Sequence, residues 1–546
     1  MWAFSGERRP LMQITETFNS REVKFRLGYE ESVSLLRKIL SAPADKPPLG
    51  FVASSVDIDN YKRLFTRDAV WAGLAALLSG EDDLIKGFRT SLETLIRNQR
   101  KDGAVPSNVS YDGKVSYGII NPRVDPNTLF IIGCVQYFLF SKDQKAFEGF
   151  YPAIEKAVCY LEEVWEDPKC GLLYIPRAGN WADEYLQEGF VLYDEVLWYM
   201  ALRKYAYMLE VVGDKKSQFY YDKAGKVKNL VRNKFWIKNS DTKKDRVYEI
   251  MRRKIDLEAA GYLMHFFYVR SKDPEECFRE SHGIFDAFGN SLSLLTGVAS
   301  RRQAQKIVDF IGRITGKIAP LVPAHYPFFQ ENTFRSKKLH QYRFKEHIGH
   351  YHNGGSWPWY TGVYVAALVK MGKDEEAENF LEGIRAANAN RRKGYHFYEY
   401  QTAKKSVVDI VVNHPSGLDI YFSRMAADFV SGRMSNVQIQ KGWKRSLMTD
   451  PMAVREFSLK EGDKLRITAV GPDAEEVLCA LVLAEDRQGL RYFREIDISS
   501  VEGRPDGTPN MGISAAAYII AYKAVKEKKV LFHWTSEDEE KERYSL

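Results

Sequence analysis

Cysteine is scarce in this chain, and long uninterrupted apolar runs are missing from it. Only five cysteines occur among 546 residues, an odd number without a C-x-x-C pair. The composition argues against a disulfide-stapled domain and predicts reduced thiols in a cytoplasmic, reducing compartment. No segment reaches the about 18 consecutive apolar residues of a transmembrane helix, and the N-terminus lacks a signal-peptide core. The cysteines are Cys134, Cys159, Cys170, Cys277 and Cys479.

An excess of one charge is missing as well. The chain carries 79 Lys and Arg against 72 Asp and Glu, a net charge of +7 without a long basic run. This balance predicts neither a nucleic acid nor a membrane as a partner. His350 and His352 could be half of a metal site, but the acidic residues nearby lack a matching ligand spacing. We therefore expect no metal and no cofactor.

Helical periodicity dominates the first four fifths of the chain. Aromatic residues are abundant at 13%, which fits a large helical core and also surfaces that stack on carbohydrate. Strand-like alternation is scarce before about residue 435, and no fixed repeat of an open solenoid is visible. We predict a mainly α fold in which helices close into an array, each burying one face against its neighbours. Helices are predicted at residues 29–40, 68–78, 84–100, 127–142, 144–166, 190–210, 216–236, 255–268, 287–298, 301–314, 355–372, 374–388 and 415–431.

The pattern changes at about residue 435. Short alternating runs begin at residues 437, 454, 464 and 529 and read as strands, whereas residues 476–483 and 513–526 read as helices. We therefore divide the chain into a helical domain at residues 1–434, with an N-terminal arm, and a small mixed α/β appendage at residues 435–546.

Four loop clusters set acidic groups among aromatic ones, and loops are where function concentrates. Cleavage of a glycosidic bond needs two carboxyl groups, a protonated acid and a base or nucleophile. Asp183 follows Trp181, and Glu399 lies between two tyrosines, so both have the aromatic surroundings that would keep a proton on a carboxyl group. The alternatives are a cap or loop ion pair for Asp183 and a partly exposed strand or loop position for Glu399.

Two further aspartates are neighbours of arginines in the sequence. Asp68 follows Arg67 and Asp125 comes two residues after Arg123, so we expect both to be ionised and salt-bridged. Such groups suit recognition of sugar hydroxyls better than proton donation.

The stretch from His350 to Trp359 combines paired glycines, two indoles and the side chains of His352 and Asn353. Flat aromatic faces beside amide and hydroxyl groups suit a sugar ring, and glycine permits close approach of the backbone to a ligand. The alternative is a tight loop with tryptophans in the core. Our predicted sugar-binding residues are Arg67, Asp68, Trp71, Asp125, Asn127, Trp181, His352, Asn353, Trp357 and Trp359.

Five motifs in order resemble those of the (α/α)6-barrel glycosidases that include neutral and alkaline invertases and glycogen-debranching amylo-α-1,6-glucosidases. The similarity extends over about residues 50–430. The motifs are Thr66-Arg-Asp-Ala-Val-Trp71, Val124-Asp-Pro-Asn-Thr-Leu-Phe-Ile131, Asn180-Trp-Ala-Asp183, His352-Asn-Gly-Gly-Ser-Trp-Pro358 and Phe397-Tyr-Glu-Tyr400.

The resemblance implies an (α/α)6 barrel and an inverting hydrolase, with Asp183 as general acid and Glu399 as base. It favours cleavage of α-glucosidic bonds in an oligosaccharide or glycogen-type glucan, with sucrose hydrolysis as the alternative. A sugar epimerase or lyase on a similar helical toroid, moving protons with His350, His352 or His396, remains open. So does a carbohydrate-binding protein without catalytic activity.

Overall fold

Helices are the main secondary-structure elements of the chain. A computed structural model of the chain describes residues 20–58, 60–183, 188–237, 261–268, 280–317, 320–328, 347–390, 394–422, 435–448, 457–486, 488–501 and 503–532. The helices of these residues are α1 Arg21–Leu40, α2 Thr66–Ser79, α3 Asp82–Arg97, α4 Asp125–Ser141, α5 Gln144–Tyr160, α6 Leu192–Val211, α7 Ser217–Lys234, α8 Ala287–Leu295, α9 Arg301–Ile314, α10 Pro358–Lys370, α11 Asp374–Asn388, α12 Ala474–Val482 and α13 Gly512–Glu527.

The strands are short, and the largest sheet that they form has five of them. They are β1 Leu64–Phe65, β2 Asn108–Val109, β3 Val115–Ser116, β4 Phe190–Val191, β5 Met264–Tyr268, β6 Glu280–Asp286, β7 His325–Tyr326, β8 Ala389–Asn390, β9 Gly394–Tyr395, β10 Tyr400–Gln401, β11 Lys405–Val412, β12 Asn436–Lys441, β13 Lys444–Leu447, β14 Lys464–Val470, β15 Phe493–Val501 and β16 Pro505–Asp506.

Six helices form a closed inner ring, in the order α2, α4, α6, α8, α10, α13 and back to α2. These helices are apolar on nearly every side, and most of their residues are buried. A helix without a polar face has to be surrounded by other helices. The outer helices α1, α3, α5, α7, α9 and α11 bury only one face each. The twelve helices that the described residues contribute therefore form the predicted (α/α)6 barrel.

The last helix of the ring lies late in the chain. Helix α13 packs between α10 and α2, and its Tyr518 hydroxyl donates a hydrogen bond to the Phe25 carbonyl at 3.0 Å. We had assigned residues 513–526 to the appendage, and this packing corrects that assignment. The apolar sequence of α13 can be buried only where neighbouring helices cover all its sides. The division between residues 434 and 435 as a domain limit stays a prediction.

A five-stranded antiparallel sheet forms the appendage, in the order β13-β12-β14-β11-β15. Helix α12 packs on one face and shares with the sheet a second hydrophobic core, which includes Val408, Ile467 and Leu478. The central strand β11 lies before residue 435, so strand structure begins earlier than we predicted. Strands β10 and β16, which pair with each other, lie at the two points where the chain leaves and re-enters the barrel.

Several predicted elements differ from the structure. Residues 264–268 form a strand although we predicted a helix, because a short apolar run fits either state. Parts of three predicted elements lie outside the described residues: 255–260 of this predicted helix, 423–431 of the helix predicted at 415–431, and 454–456 of a predicted strand. Residues 529–532 are not a strand, and residues 533–534 lie outside the described part as well.

Candidate active site

The N-terminal ends of the inner helices carry a set of buried carboxylates. Asp68, Asp125 and Asp194 lie in the first turns of α2, α4 and α6, and Asp286 caps α8. Asp286 accepts hydrogen bonds from the backbone N–H groups of Phe288 at 2.9 Å and Gly289 at 3.2 Å. The positive end of a helix dipole favours negative charge at such positions. One end of the barrel is therefore lined with acidic groups.

The arginines of this region pair with aspartates far from them in the sequence. Arg67 Nε donates to Asp125 Oδ2 at 2.8 Å, and the Tyr193 hydroxyl donates to the same oxygen at 3.2 Å. Arg123 pairs with Asp183. Asp125 is thus salt-bridged as predicted, but to a different arginine from its sequence neighbour.

Asp183 lies in the loop before α6 as an ion-pair partner. Its side chain is 20% exposed and contacts the guanidinium of Arg123, which is 9% exposed. The structure thus has the loop ion pair that we weighed as the alternative for this residue. If Asp183 acts as an acid, its ion pair with Arg123 has to break, or the Arg123 guanidinium has to bind substrate as well.

Glu399 is buried, with 5% of its surface exposed. Its Oε1 accepts a hydrogen bond from the Tyr61 hydroxyl at 2.9 Å and a longer one from Tyr351 at 3.5 Å. Its Oε2 accepts from the backbone N–H of Thr508 at 3.3 Å. The alternative of a partly exposed position is therefore wrong, and the carboxylate is held from both sides.

Tyr61 bonds to one predicted catalytic carboxylate, Glu399, and the charge of the other, Asp183, also acts on it. The pKa of Tyr61 lies well above its ordinary value because the phenol is buried and because Glu399, Asp183 and Asp68 place negative charge around it. These three carboxylates come from distant parts of the sequence. Since the charges of all three act on one hydroxyl, the three carboxylates lie near the same site. No pattern in the sequence had pointed to Tyr61.

Asp68 differs from our prediction of an ionised partner for Arg67. Burial raises its pKa to about 6, and the nearby charges of Arg67 and Arg123 only partly oppose this effect. The guanidinium of Arg67 bonds to Asp125 instead. Asp68 therefore keeps its proton to higher pH than an ordinary aspartate does.

Asp194 is a second buried acid that we did not identify from the sequence. Burial is the main cause of its strongly raised pKa, the charge of Asp125 adds to it, and Asn180 and Arg67 oppose it. A charged residue inside the apolar helix α6 was the available signal. The protonated form of Asp194 can lie beside Asp125 without repulsion between two charges.

The tryptophans of this region pack around one phenylalanine. Trp71, Trp181 and Trp359 surround Phe288, with ring centroids 5.5, 6.3 and 4.5 Å from it. Trp71 is 0% exposed, which corrects its prediction as a surface for sugar stacking. Trp181, Trp357 and Trp359 are also nearly covered. The stretch from His350 to Trp359 therefore has its tryptophans in the core, which was the alternative reading of that stretch.

Three further predicted binding residues are part of the framework. Asn127 donates to the carbonyls of Gly103 and Ala157 and accepts from Val105 N–H, so backbone groups occupy its side-chain amide. This corrects its assignment as a sugar-binding residue. His352 is buried, its ring stacks on Trp357 at 5.9 Å, and Asn353 is buried next to it.

Neither a metal site nor a membrane-spanning helix emerges from the described residues. No three or more His, Cys, Asp or Glu side chains lie there in an arrangement that could hold a metal ion. No helix of that part combines the length and the apolar character needed to cross a membrane.

An inner ring of six helices inside six outer ones, with carboxylates at one end, is the (α/α)6 architecture that the motifs had implied. Residues 279–408 match the family described as alkaline and neutral invertase, and residues 407–484 match the PTS HPr component phosphorylation site family. The probable alkaline/neutral invertase F of Arabidopsis thaliana is 24% identical over 399 residues, which are 61% of this chain and 75% of that protein. The alkaline/neutral invertase CINV1 of the same organism is 23% identical over 400 residues, covering 62% and 68%.

Solved structures share the fold at low identity. A bacterial glucoamylase complexed with acarbose superposes with a TM-score of 0.50 at 14% identity, over 92% of this chain and 56% of the glucoamylase. A glycosidase in complex with glucose gives a TM-score of 0.50 at 11% identity, over 93% and 98% of the two chains. The chain is a glycoside hydrolase of the (α/α)6-barrel class, as its motifs had indicated.

Proposed function

We propose that the chain hydrolyses α-glucosidic bonds of an oligosaccharide or a glycogen-type glucan with inversion at the anomeric carbon. Asp183 would be the general acid and Glu399 the general base. The observation that supports this proposal is Tyr61, a phenol that bonds to Glu399 and whose pKa the charge of Asp183 also raises. An inverting enzyme needs two carboxyl groups on opposite sides of one sugar, about 6.5–9.5 Å apart.

The surroundings of Glu399 suit a base. Two tyrosine hydroxyls and a backbone N–H donate to its carboxylate, so its oxygens are oriented and can accept a proton from water. Arg67 lies at the same end of the barrel with 12% of its side chain exposed, and we assign its guanidinium to sugar hydroxyls. Asp125 is fully buried, which corrects its prediction as a sugar-binding residue, and we assign it to holding Arg67.

The proton donor has two candidates among the described residues. Asp183 matches the motif of the resembling family, but it is paired with Arg123 in the absence of substrate. Asp68 is buried, and a carboxyl group with a pKa of about 6 holds a proton near neutral pH. We favour Asp183, on the expectation that a bound sugar takes over the Arg123 guanidinium.

The test compares Asp183→Asn, Asp68→Asn and Glu399→Gln with the parent enzyme. Loss of the acid should lower kcat by several orders of magnitude on natural glucosides and much less on 4-nitrophenyl glucosides, whose leaving group needs little protonation. Loss of the base should lower kcat on both. If Asp68→Asn shows the leaving-group dependence and Asp183→Asn does not, the acid assignment moves to Asp68.

A substrate panel decides the finer activity. Maltose, isomaltose, limit dextrin and sucrose are incubated with the enzyme, and the anomer first released is followed by NMR. Sucrose hydrolysis is the second candidate, because the matching family and the plant relatives are invertases. Unsaturated sugars would indicate a lyase, isomerised sugars an epimerase, and binding without turnover a carbohydrate-binding protein. A cytoplasmic location stays a prediction.

A further inference from the structure

One segment of the chain crosses directly over the proposed base. Residues 503–510, which we name the strap, run from the appendage back to helix α13 of the barrel. Its strand β16 pairs with β10, so that Asp506 lies opposite Tyr400 and Pro505 opposite Gln401. The strap is therefore fixed to the residues that immediately follow Glu399.

The strap also bonds to Glu399 itself. The backbone N–H of Glu399 donates to the Thr508 carbonyl at 3.0 Å, and the Thr508 N–H donates back to the side-chain Oε2 at 3.3 Å. Next along the strap, Asn510 N–H donates to the His396 carbonyl at 2.7 Å. One segment thus determines both the backbone position and one carboxylate oxygen of this glutamate.

Gly507 approaches the same carboxylate more closely than any other residue type could. Its φ is +76°, and a Cβ atom built on it would lie 2.5 Å from Glu399 Oε2 and 2.8 Å from Glu399 Cβ. Both distances are far shorter than van der Waals contact, so any side chain would displace the glutamate. The positive φ also favours glycine on backbone grounds.

We propose that Gly507 and Thr508 are positioning residues that hold the Glu399 carboxylate in its reactive orientation. This rests on the proposed function, in which Glu399 is the base. Oε1 is fixed by Tyr61 and Oε2 by Thr508, so the carboxylate has defined donors at both oxygens. A strap that only connects two parts of the fold would need neither the hydrogen bond from Thr508 nor the close approach of Gly507.

The experiment replaces Gly507 by alanine and uses Gly489→Ala as the matched control. Gly489 has almost the same φ, +79°, but a Cβ there meets nothing within 4 Å. Both variants carry the same backbone strain, and only Gly507→Ala pushes on Glu399. We expect kcat of Gly507→Ala to fall about 100-fold with KM within about twofold, as for a reactive group displaced by about 1 Å. Gly489→Ala should keep both values.

A double-mutant cycle with Tyr61→Phe separates positioning from general damage. If Tyr61 and Gly507 act through one carboxylate, their effects on kcat are smaller together than the product of the single effects. Independent, multiplicative effects would overturn the proposal. Pro505→Gly loosens the strap without adding atoms, and it should lower kcat several-fold at unchanged KM even if Gly507→Ala fails to fold. Unchanged kcat in Pro505→Gly, with Gly507→Ala unfolded, also counts against positioning.

Glu399→Gln distinguishes the two levels of the argument. If Glu399→Gln is inactive while Gly507→Ala retains the parent kcat, the strap does not position the base and the proposed function stands. If Glu399→Gln retains activity, the base assignment itself is wrong, and the positioning proposal fails with it.

Discussion

Two arginines of the site each form an ion pair with an aspartate that is distant in the sequence. Arg67 bonds to Asp125, 58 residues away, and Arg123 bonds to Asp183, 60 residues away. Adjacent residues in the sequence had suggested other pairs, since Asp68 follows Arg67 directly. Neighbours on a helix project in different directions, so adjacency in the sequence is weak evidence for an ion pair.

Replacing Asp68 by asparagine should change how stability depends on pH. Its pKa rises from 3.8 to about 6 in the folded chain, so between these values the folded state binds more protons than the unfolded state. Stability of the parent therefore falls as pH rises through this window. Relative to the parent, Asp68→Asn should gain at most about 3 kcal/mol in free energy of unfolding between about pH 4 and about pH 7.

Denaturant unfolding at several pH values measures this difference. Asp45→Asn is the control, because it removes a carboxylate whose side chain is 78% exposed. A flat difference for Asp68→Asn would mean that folding does not raise the pKa of this carboxyl group.

Sequence patterns say more about the carboxylates of the site than about its aromatic residues. Asp183 and Glu399 were predicted as catalytic because each lies near aromatic residues and matches a motif of the resembling family, and both roles stay predictions. Trp71 was assigned to sugar stacking, because composition does not tell whether an indole faces a pocket or the core. Tyr61 and Asp194 were missed, since their importance comes only from groups that the fold brings near them.

Helix α4 shows how an element can be predicted while the role of one residue in it is not. Its apolar sequence predicted a helix at residues 127–142, and the structure has it at Asp125–Ser141. Asn127 had been assigned to substrate, but its amide bonds to the loop that holds Gly103 and Val105 and to Ala157 of α5. Hydrogen bonds between elements leave no signal in local periodicity.

Asn127→Ala should therefore destabilise the fold. The change removes three hydrogen bonds and leaves the buried Val105 N–H without its partner, whereas the carbonyls of Gly103 and Ala157 still accept from Gln99 and Leu161. It should cost about 1–3 kcal/mol in free energy of unfolding. Asn121→Ala is the control, because Asn121 makes one exposed bond to the Arg177 carbonyl at 3.2 Å. Thermal and urea unfolding give the stability, and kcat per folded molecule should stay near the parent value. A selective rise in KM at unchanged stability would restore Asn127 to the binding site.

The (α/α)6 barrel was predicted from the sequence, but α13 was assigned to the appendage and not to the inner ring. Periodicity identified the segment that became α13, yet the sheet of the appendage separates it from the other barrel helices. Which helices close a ring depends on contacts between distant residues, and local sequence carries no record of them. The sheet begins with β11 at Lys405, before the change of pattern at residue 435, and after the sheet the chain returns to the barrel as α13.

Gly362 tests how tightly this ring is closed. A Cβ at Gly362 of α10 would lie 2.5 Å from the Ala517 carbonyl oxygen of α13, so alanine forces the two helices apart. We expect Gly362→Ala to lose about 1–3 kcal/mol of stability. Gly225→Ala in α7, where a Cβ meets nothing within 4 Å, should gain about 0.5–1 kcal/mol from helix propensity. Calorimetry compares the two, and equal shifts of Tm would contradict the close contact.

The hydrogen bond from Tyr518 to Phe25 joins residues 493 positions apart. On a ribosome that adds about 5–20 residues per second, roughly 25 to 100 s pass between synthesis of these two residues. Until α13 is synthesised, α2 and, once it has been made, α10 have no α13 beside them, and apolar helix surface stays open to solvent and to other nascent chains. The period before the ring can close is therefore the one in which this protein is most exposed to aggregation, and slower translation prolongs it.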